Sequence, residues 1–211
     1  LALAAGASAS GRTTVIESLL VQACVVVIIG GIVRVTRAER ERASTMARMA
    51  SQDTLTGLVN RRSGEDVLVR EVARARRYGQ PLSVAWMDLD RFKQINDRYG
   101  HEVGDRVLTS VASALLTAVR DHDTVARWGG EEFILVFPRQ GREEAQRVTE
   151  RLRRVIGGLD ARLPGGEGVT ASFGVAELAP TESASELLRR ADQALFGAKG
   201  GGRDRVVLAD A

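Results

Sequence analysis

The sequence predicts an α/β domain built in layers, with a mixed or antiparallel sheet flanked by helices and preceded by an N-terminal membrane or linker helix. Three observations support this prediction. Short β-rich runs alternate with amphipathic helical stretches from residue 63 onward. A long apolar run near the N-terminus is followed by arginines. The length of 211 residues with the single Cys24 suits one packed domain with an appendage and excludes a disulfide scaffold.

The first 36 residues contain an apolar run from Leu19 to Val33 that only Gln22 interrupts. A bilayer is spanned by about 20 helical residues, so this run suits either a short transmembrane helix or a buried core segment. A signal peptide is the third alternative, but arginines at positions 34, 37, 40 and 42 stand where a cleavage site needs small residues. We expect residues 1–36 to be the end of a membrane region that begins upstream. The positive-inside rule then places the remainder in the cytoplasm.

Residues 37–51 are predicted to be a helical linker. The stretch 37–50 is charged, rich in alanine and free of glycine and proline, which favours a helix. Val35, Met46 and Met49 do not form a regular heptad. The linker is therefore either a weakly encoded dimeric coiled coil or a solvated spacer.

The rest of the chain is predicted to alternate four helices with four strands. The helices are expected at 63–78, 102–119, 143–156 and 185–198, and the strands at 82–87, 124–128, 133–137 and 169–176. Apolar residues of the second helix recur at helical spacing, so we expect them to face the core: Val103, Val107, Val111, Leu115 and Val119. Four residues, 129–132, separate the second and third strands, which predicts a hairpin.

Two carboxylates lie at the end of the first predicted strand, and their closeness there requires a chemical explanation. Alternation along a strand puts Asp88 and Asp90 on one face, and two close carboxylates repel each other unless a cation holds them. Mg²⁺ typically takes one or two protein carboxylates and completes its shell with substrate phosphates. The alternative is a solvated turn that caps the following helix.

The hairpin tip is the second acidic segment. Gly129 and Gly130 allow a tight turn and the close approach of a ligand. Glu131 and Glu132 follow them, and an acidic pair here would complete a two-metal site with Asp88. The alternative is a polar surface turn.

These segments resemble the GGDEF family of diguanylate cyclases. GGEEF at 129–133 matches the family signature, and further matches are DTLTGLVNRR at 53–62, DLDRFKQIND at 88–97, GHEVGD at 100–105 and AKGGGRDRV at 198–206. The resemblance covers residues 52–211 and implies a palm-like fold related to nucleotide cyclases and polymerases. It implies an enzyme that condenses two GTP into cyclic di-GMP and two pyrophosphates in a homodimer of facing sites.

The resemblance also implies roles for individual residues. Two Mg²⁺ ions per site, with Mn²⁺ as a substitute, would be held by Asp88, Glu131 and the Leu89 carbonyl. Asp88, Glu131 and Glu132 would be catalytic, with Glu132 or a hydroxide on the metal as the base. The substrate-binding positions would be Phe92, Lys93, Asn96, Asp105, Gly129, Gly130, Lys199 and Arg203. In this set Asn96 and Asp105 read guanine, and Lys199 and Arg203 bind phosphate, although such a basic pair is also ordinary on a helix surface.

Two further positions, Arg120 and Asp123, fit the family's RxxD inhibitory site, where cyclic di-GMP would bind as product and inhibitor. An ordinary helix-end salt bridge is the alternative. The 30 Lys plus Arg against 27 Asp plus Glu leave a charge of only +3, which gives no reason to expect a nucleic-acid polymer as partner. One departure from the family pattern is Asp204, at a position often held by Asn.

Two other functions compete with synthesis. The first is a GGDEF-like module that senses GTP or cyclic di-GMP, and the intact hairpin motif with Asp88 counts against it. The second is a polymerase- or adenylyl-cyclase-like enzyme, and Asp105 with the entrance motif at 53–62 counts against that.

Overall fold

The computed structural model of the protein describes residues 51–159, 166 and 168–210. The elements follow in the order β1 (Val59–Asn60), α1 (Arg61–Tyr78), β2 (Leu82–Leu89), α2 (Phe92–Tyr99), α3 (His101–Ala118), β3 (Thr124–Arg127), β4 (Glu132–Pro138), α4 (Arg142–Gly157), β5 (Ala171–Glu177), α5 (Ala184–Gly200) and β6 (Val206–Leu208). The sheet order is β1-β3-β4-β2-β5-β6. Strands β3, β4, β2 and β5 are antiparallel neighbours, and β1 and β6 join the edges in parallel. The predicted mixed sheet with flanking helices is confirmed.

The sheet lies between two helical layers. Helices α2, α3 and α4 bury their apolar residues against one face, together with Met87 and Leu89 of β2. Helices α1 and α5 cover the other face, where Val84 of β2 is buried. Because alternate residues of a strand point to opposite faces, Asp88 shares the α1 and α5 face with Val84. The polar end of β2 therefore lies on the side covered by α1 and α5.

All eight predicted elements within the described residues are present, with ends shifted by a few residues. The predicted core positions of α3 are buried except Val119, which is half-buried and follows the helix end at Ala118. Strands β1 and β6 were not predicted, since two and three residues are too few to show a period. Helix α2 was also missed. It starts after Arg91, which has a φ of 58°, and no described side chain caps it.

The predicted N-terminal segments cannot be compared with this fold. The membrane segment 1–36 and residues 37–50 of the linker lie outside the described residues. Within the described part of the chain, no helix has the length and apolar character needed to cross a bilayer.

Helix α5 is seated directly on β5 through a glycine. A Cβ added at Gly174 would lie 2.0 Å from the Ala191 carbonyl oxygen and 2.2 Å from the Leu195 nitrogen. Both atoms belong to the helix backbone, so a larger residue would push the helix away. This close approach brings the C-terminal end of α5, with Lys199, over the end of β2.

Candidate active site

The end of β2 and the hairpin tip between β3 and β4 are neighbours. Asp88 pairs with Glu132 across the two strands, and the Leu89 N–H donates to the Glu131 carbonyl oxygen at 3.2 Å. The antiparallel register therefore places Asp88, Glu131 and Glu132, which are far apart in sequence, at one edge of the sheet. The predicted proximity of these three carboxylates is confirmed.

Lys199 reaches this edge from α5. Its Nζ lies 2.7 Å from Asp88 Oδ2, and the Asp88 residue is only 7% exposed. Burial raises the pKa of Asp88 above its ordinary value and the charge of Asp90 adds to the effect, although Lys199 and Arg203 oppose it. Lys199 thus pairs directly with Asp88, while Arg203 follows the helix end at Gly200 and acts on Asp88 through its charge.

Glu131 shares this electrostatic environment. Burial raises the pKa of Glu131, the negative charge of Asp88 raises it further, and Lys199 partly offsets both. Lys199 offsets only part of the raised pKa of Asp88 and Glu131. These two carboxylates and the Leu89 carbonyl offer hard oxygen donors of the kind that a divalent cation takes. No group of three or more His, Cys, Asp or Glu side chains converges on a metal position among the described residues.

The two hairpin glycines have different surroundings. Neither Gly129 nor Gly130 has a positive φ, so the turn does not depend on left-handed backbone. A Cβ at Gly129 would lie 2.9 Å from Glu132 Oε2, while one at Gly130 would meet nothing within 4 Å. Gly129 makes room for the Glu132 carboxylate, and Gly130 leaves the tip open.

A contact that the sequence did not reveal ties the hairpin to the start of the domain. Arg127 donates to Asp53 Oδ1 at 2.9 Å and, through Nε and Nη2, to the Gly130 carbonyl at 3.3 and 2.8 Å. Burial raises the pKa of Asp53, but hydrogen bonds from Thr56 and Arg127 outweigh it, so the pKa lies below its ordinary value. The only sequence signal was that Asp53 opens the entrance motif and Arg127 precedes the signature glycines.

The two residues predicted to read guanine lie on successive helices, Asn96 on α2 and Asp105 on α3. Asn96 lies against Gly104, where an added Cβ would lie 1.9 Å from Asn96 Oδ1 and 3.1 Å from Phe92 Cζ. Asn96 Oδ1 is buried and has no hydrogen-bond partner among the described residues. Asp105 is exposed on the first turns of α3, next to Gly104. Gly104 therefore lets the buried Asn96 Oδ1 pack closely against α3, one residue before the exposed Asp105.

The remaining predicted residues fall into two groups. Lys93 and Arg203 are exposed, Lys93 on the first turn of α2 and Arg203 in the loop after α5. Asp123 accepts from the Arg120 N–H at 3.0 Å and from Gln140 Nε2 at 2.8 Å, so it caps a turn and makes no salt bridge with Arg120. Strand β3 lies between this turn and the hairpin tip. Its four residues separate the turn from the tip by roughly 13 Å.

Comparison with known proteins identifies the family of the chain. Residues 50–205 match the family model of the GGDEF domain of diguanylate cyclases. Diguanylate cyclase DgcP from Pseudomonas aeruginosa is 41% identical over 161 residues, which is 76% of this chain and 24% of DgcP. Diguanylate cyclase DosC from Escherichia coli is 40% identical over 74% of this chain and 34% of DosC. The chain thus spans about a quarter to a third of the length of these curated relatives.

Solved structures show the same fold. The coiled coil and GGDEF domain of DgcB from Caulobacter crescentus, solved in complex with c-di-GMP, matches with a TM-score of 0.80 and 33% identity, over 86% of this chain and 97% of that one. The active GGEEF domain of a diguanylate cyclase from Vibrio cholerae matches with a TM-score of 0.68 and 35% identity, over 73% of this chain and 99% of that one. The family match and these relatives together show that the chain belongs to the GGDEF-domain family of diguanylate cyclases.

Proposed function

We propose that the protein is a diguanylate cyclase, which condenses two GTP molecules into cyclic di-GMP and two pyrophosphates. The observation that carries this proposal is the convergence of Asp88, the GGEEF hairpin and Lys199 at one edge of the sheet. The family membership supports it, since the curated relatives are themselves diguanylate cyclases. GTP is the substrate, and cyclic di-GMP is both product and inhibitor.

The triphosphate of GTP is proposed to bind over the start of α2. No described side chain caps the helix N-terminus, and the Gln94 N–H donates to the Arg91 carbonyl at 2.8 Å, so the N–H groups of Phe92 and Lys93 are those proposed to bind phosphate oxygens. Lys93, Lys199 and Arg203 supply positive charge around it. Asp88, Glu131 and the Leu89 carbonyl would hold two Mg²⁺, or Mn²⁺ in their place. When bound, these ions neutralise phosphate charge and stabilise the attacking and leaving oxygens.

The reaction itself is an in-line displacement. The 3′-hydroxyl oxygen of one GTP forms a bond to the α-phosphorus of the other, the α–β bridging bond breaks, and pyrophosphate leaves with the bond electrons. The second hydroxyl repeats the step and closes the ring. Glu132, which lies opposite Asp88 across the strands, is the protein group proposed to accept the hydroxyl proton. The residues mainly orient the reactants and stabilise charge.

Guanine selectivity is assigned to Asn96 and Asp105. Guanine presents the N1–H and 2-amino donors on one edge, whereas adenine lacks this pair. The buried, unpartnered Asn96 Oδ1 and the nearby Asp105 carboxylate are acceptors suited to those donors. A buried acceptor without a partner discriminates strongly, because a nucleotide without the matching donor leaves it unsatisfied.

The chemistry needs two loaded sites that face each other, so we propose a homodimer as the active state. The DgcB structure contains a coiled coil together with its GGDEF domain, which supports a coiled coil at 37–51 as the dimerising element here. The apolar run 19–33 followed by arginines supports attachment to the inner membrane with the catalytic domain in the cytoplasm. Specific activity should rise with protein concentration, and constant activity over a wide dilution range would contradict the dimer.

Product inhibition is proposed at Arg120 and Asp123. Arg120 is exposed at a turn, and about 13 Å of β3 separates that turn from the hairpin, so a ligand there would not occupy the substrate site. Arg120→Ala should relieve inhibition by added cyclic di-GMP without abolishing synthesis. Arg70→Ala, an exposed arginine on α1, is the matched control and should leave the inhibition constant unchanged. Equal inhibition of the Arg120 variant and the parent would refute this assignment.

The cyclase itself is tested by incubating the purified protein with GTP and Mg²⁺ and separating the products by chromatography. The Glu131→Gln and Glu132→Gln double variant should make no cyclic di-GMP. Glu143→Gln, an exposed glutamate on α4, should match the parent. Tight binding of GTP without any product from the parent, even when dimerised by a fused coiled coil, would refute synthesis and favour a sensing module. Product from ATP would favour a different cyclase.

A further inference from the structure

We propose that Asp90 and Arg153 are positioning residues that together hold the loop carrying Arg203 at the phosphates of GTP. This inference rests on the proposed function, because it assigns Arg203 to phosphate binding. Asp90 would then have a different task from Asp88, although the two stand two residues apart. Arg153 belongs to α4 on the opposite face of the sheet from α5, and no sequence motif pointed to it.

Asp90 is a buried carboxylate, and both of its oxygens accept hydrogen bonds from the protein. It is 7% exposed, and its Oδ1 accepts from Ser172 Oγ at 2.7 Å. Its Oδ2 accepts from Thr170 Oγ1 at 2.7 Å and from the Asp204 N–H at 3.0 Å. The two hydroxyls lie at the start of β5, and the N–H lies in the loop after α5. Asp90 therefore joins the end of β2, the start of β5 and the loop next to Arg203.

Arg153 holds the same loop from the other side. Its Nη1 donates to Asp204 Oδ1 at 2.7 Å, and its Nε donates to Glu150 Oε2 at 3.0 Å. These hydrogen bonds raise the pKa of Arg153, so it stays charged throughout the accessible pH range. The backbone of Asp204 is thus bound by Asp90 and its side chain by Arg153.

The backbone of this loop needs such anchors. Arg203 and Asp204 both have positive φ values, 66° and 43°, in the left-handed region that residues with a side chain rarely adopt. Two successive residues in that region persist where surrounding contacts determine them. The Arg203 N–H also donates to the Ala198 carbonyl at 3.0 Å, so removal of the two anchors should release Asp204 and let the Arg203 guanidinium turn away while the loop stays attached to α5.

The same contacts argue against a metal role for Asp90. Three donors occupy most of the roughly four lone-pair sites of this carboxylate, and Asp90 is only 7% exposed, so little of it is left for a cation. Asp88 has one ion-pair partner, Lys199, and lies closer to the hairpin carboxylates. We therefore assign cation binding to Asp88 and the anchoring of the loop to Asp90.

The test compares Arg153→Met and Asp90→Asn with the parent, with Arg154→Met as the matched control on the same helix. The KM for GTP should rise about tenfold in both variants, as expected when a charge-assisted contact is lost, while kcat changes less than twofold. The Mg²⁺ concentration for half-maximal activity at saturating GTP should stay the same. Asp204→Asn keeps an acceptor for Arg153 and tolerance of positive φ but loses the negative charge, so its KM should rise less than that of Arg153→Met.

Calorimetry measures nucleotide binding directly, so it distinguishes a loss of Arg203 positioning from a general loss of structure. The variants should bind a non-hydrolysable GTP analogue more weakly than the parent but bind GMP, which lacks the β- and γ-phosphates, equally well. An equal loss for both nucleotides, an unchanged KM, or a raised Mg²⁺ requirement in Asp90→Asn would overturn the proposal. A parent that binds GTP but makes no cyclic di-GMP would refute the cyclase instead, and the comparison of GTP with GMP would still test the loop.

Discussion

The replacement of Gly104 by alanine is a sharp test of guanine recognition, because the structure specifies what the added methyl group meets. The new Cβ would lie 1.9 Å from Asn96 Oδ1 and 3.0 Å from Asn96 Cγ. Contact distances between such atoms are at least about 3.4 Å, so the amide oxygen must withdraw by more than about 1 Å. A hydrogen bond to guanine of about 2.9 Å does not survive such a displacement.

The magnitude follows from the lost hydrogen bond. A buried donor of guanine left unsatisfied costs about 1–3 kcal/mol, which corresponds to a fall in kcat/KM of about 5- to 150-fold. The fold should be retained, because the group that must move is the far end of a side chain and no backbone is displaced. Thermal unfolding of Gly104→Ala should therefore stay close to that of the parent.

The assay measures kcat/KM for GTP and for inosine triphosphate, which lacks the 2-amino donor. The parent should prefer GTP, and Gly104→Ala should lose most of this preference. Gly157→Ala is the matched control, since it adds the same methyl group to a helix end where nothing lies within 4 Å. If Gly104→Ala keeps both the parent kcat/KM and the parent preference, the assignment of Asn96 to guanine is wrong.

Three further predictions concern the hairpin, the buried carboxylate Asp88 and the core. Arg127→Lys cannot bridge Asp53 and the Gly130 carbonyl together. We expect kcat to fall about tenfold if the bridge is worth about 1.4 kcal/mol to the hairpin geometry, and unchanged turnover at saturating GTP would contradict this. Burial raises the pKa of Asp88 in the folded protein. The Asp88 charge therefore destabilises the metal-free fold at pH values above this raised pKa, and it has no effect at pH values below the pKa of the unfolded state. Asp88→Asn should therefore resist urea better than the parent at pH 8, with a gain that shrinks toward pH 4, and Mg²⁺ should stabilise only the parent. Gly174→Ala should lose about 3 kcal/mol or more in chemical denaturation, because its Cβ would meet the backbone of α5, and a smaller loss would show that the helix can move.

Most of the layered fold could be predicted from local pattern. The amphipathic period of α3 identified its buried positions, and the apolar run of β2 ended where the carboxylates begin. Helix α2 could not be predicted in the same way, because its start has no capping side chain and follows a residue in left-handed conformation. The strands β1 and β6 exist only because longer neighbours supply their hydrogen-bond partners.

By itself, the sequence determined the family and the identity of the candidate residues, because a catalytic motif is a local string whose residue types and spacing can be read directly. Only the tertiary structure decided which of those residues act together and what holds them. The contacts of Asp90 with Asp204 and of Arg127 with Asp53 join residues 114 and 74 positions apart. Such contacts depend on strand register and on how closely a helix can approach the sheet. Both are properties of the packed whole, since a one-residue slip or one added methyl group at the wrong place would remove them.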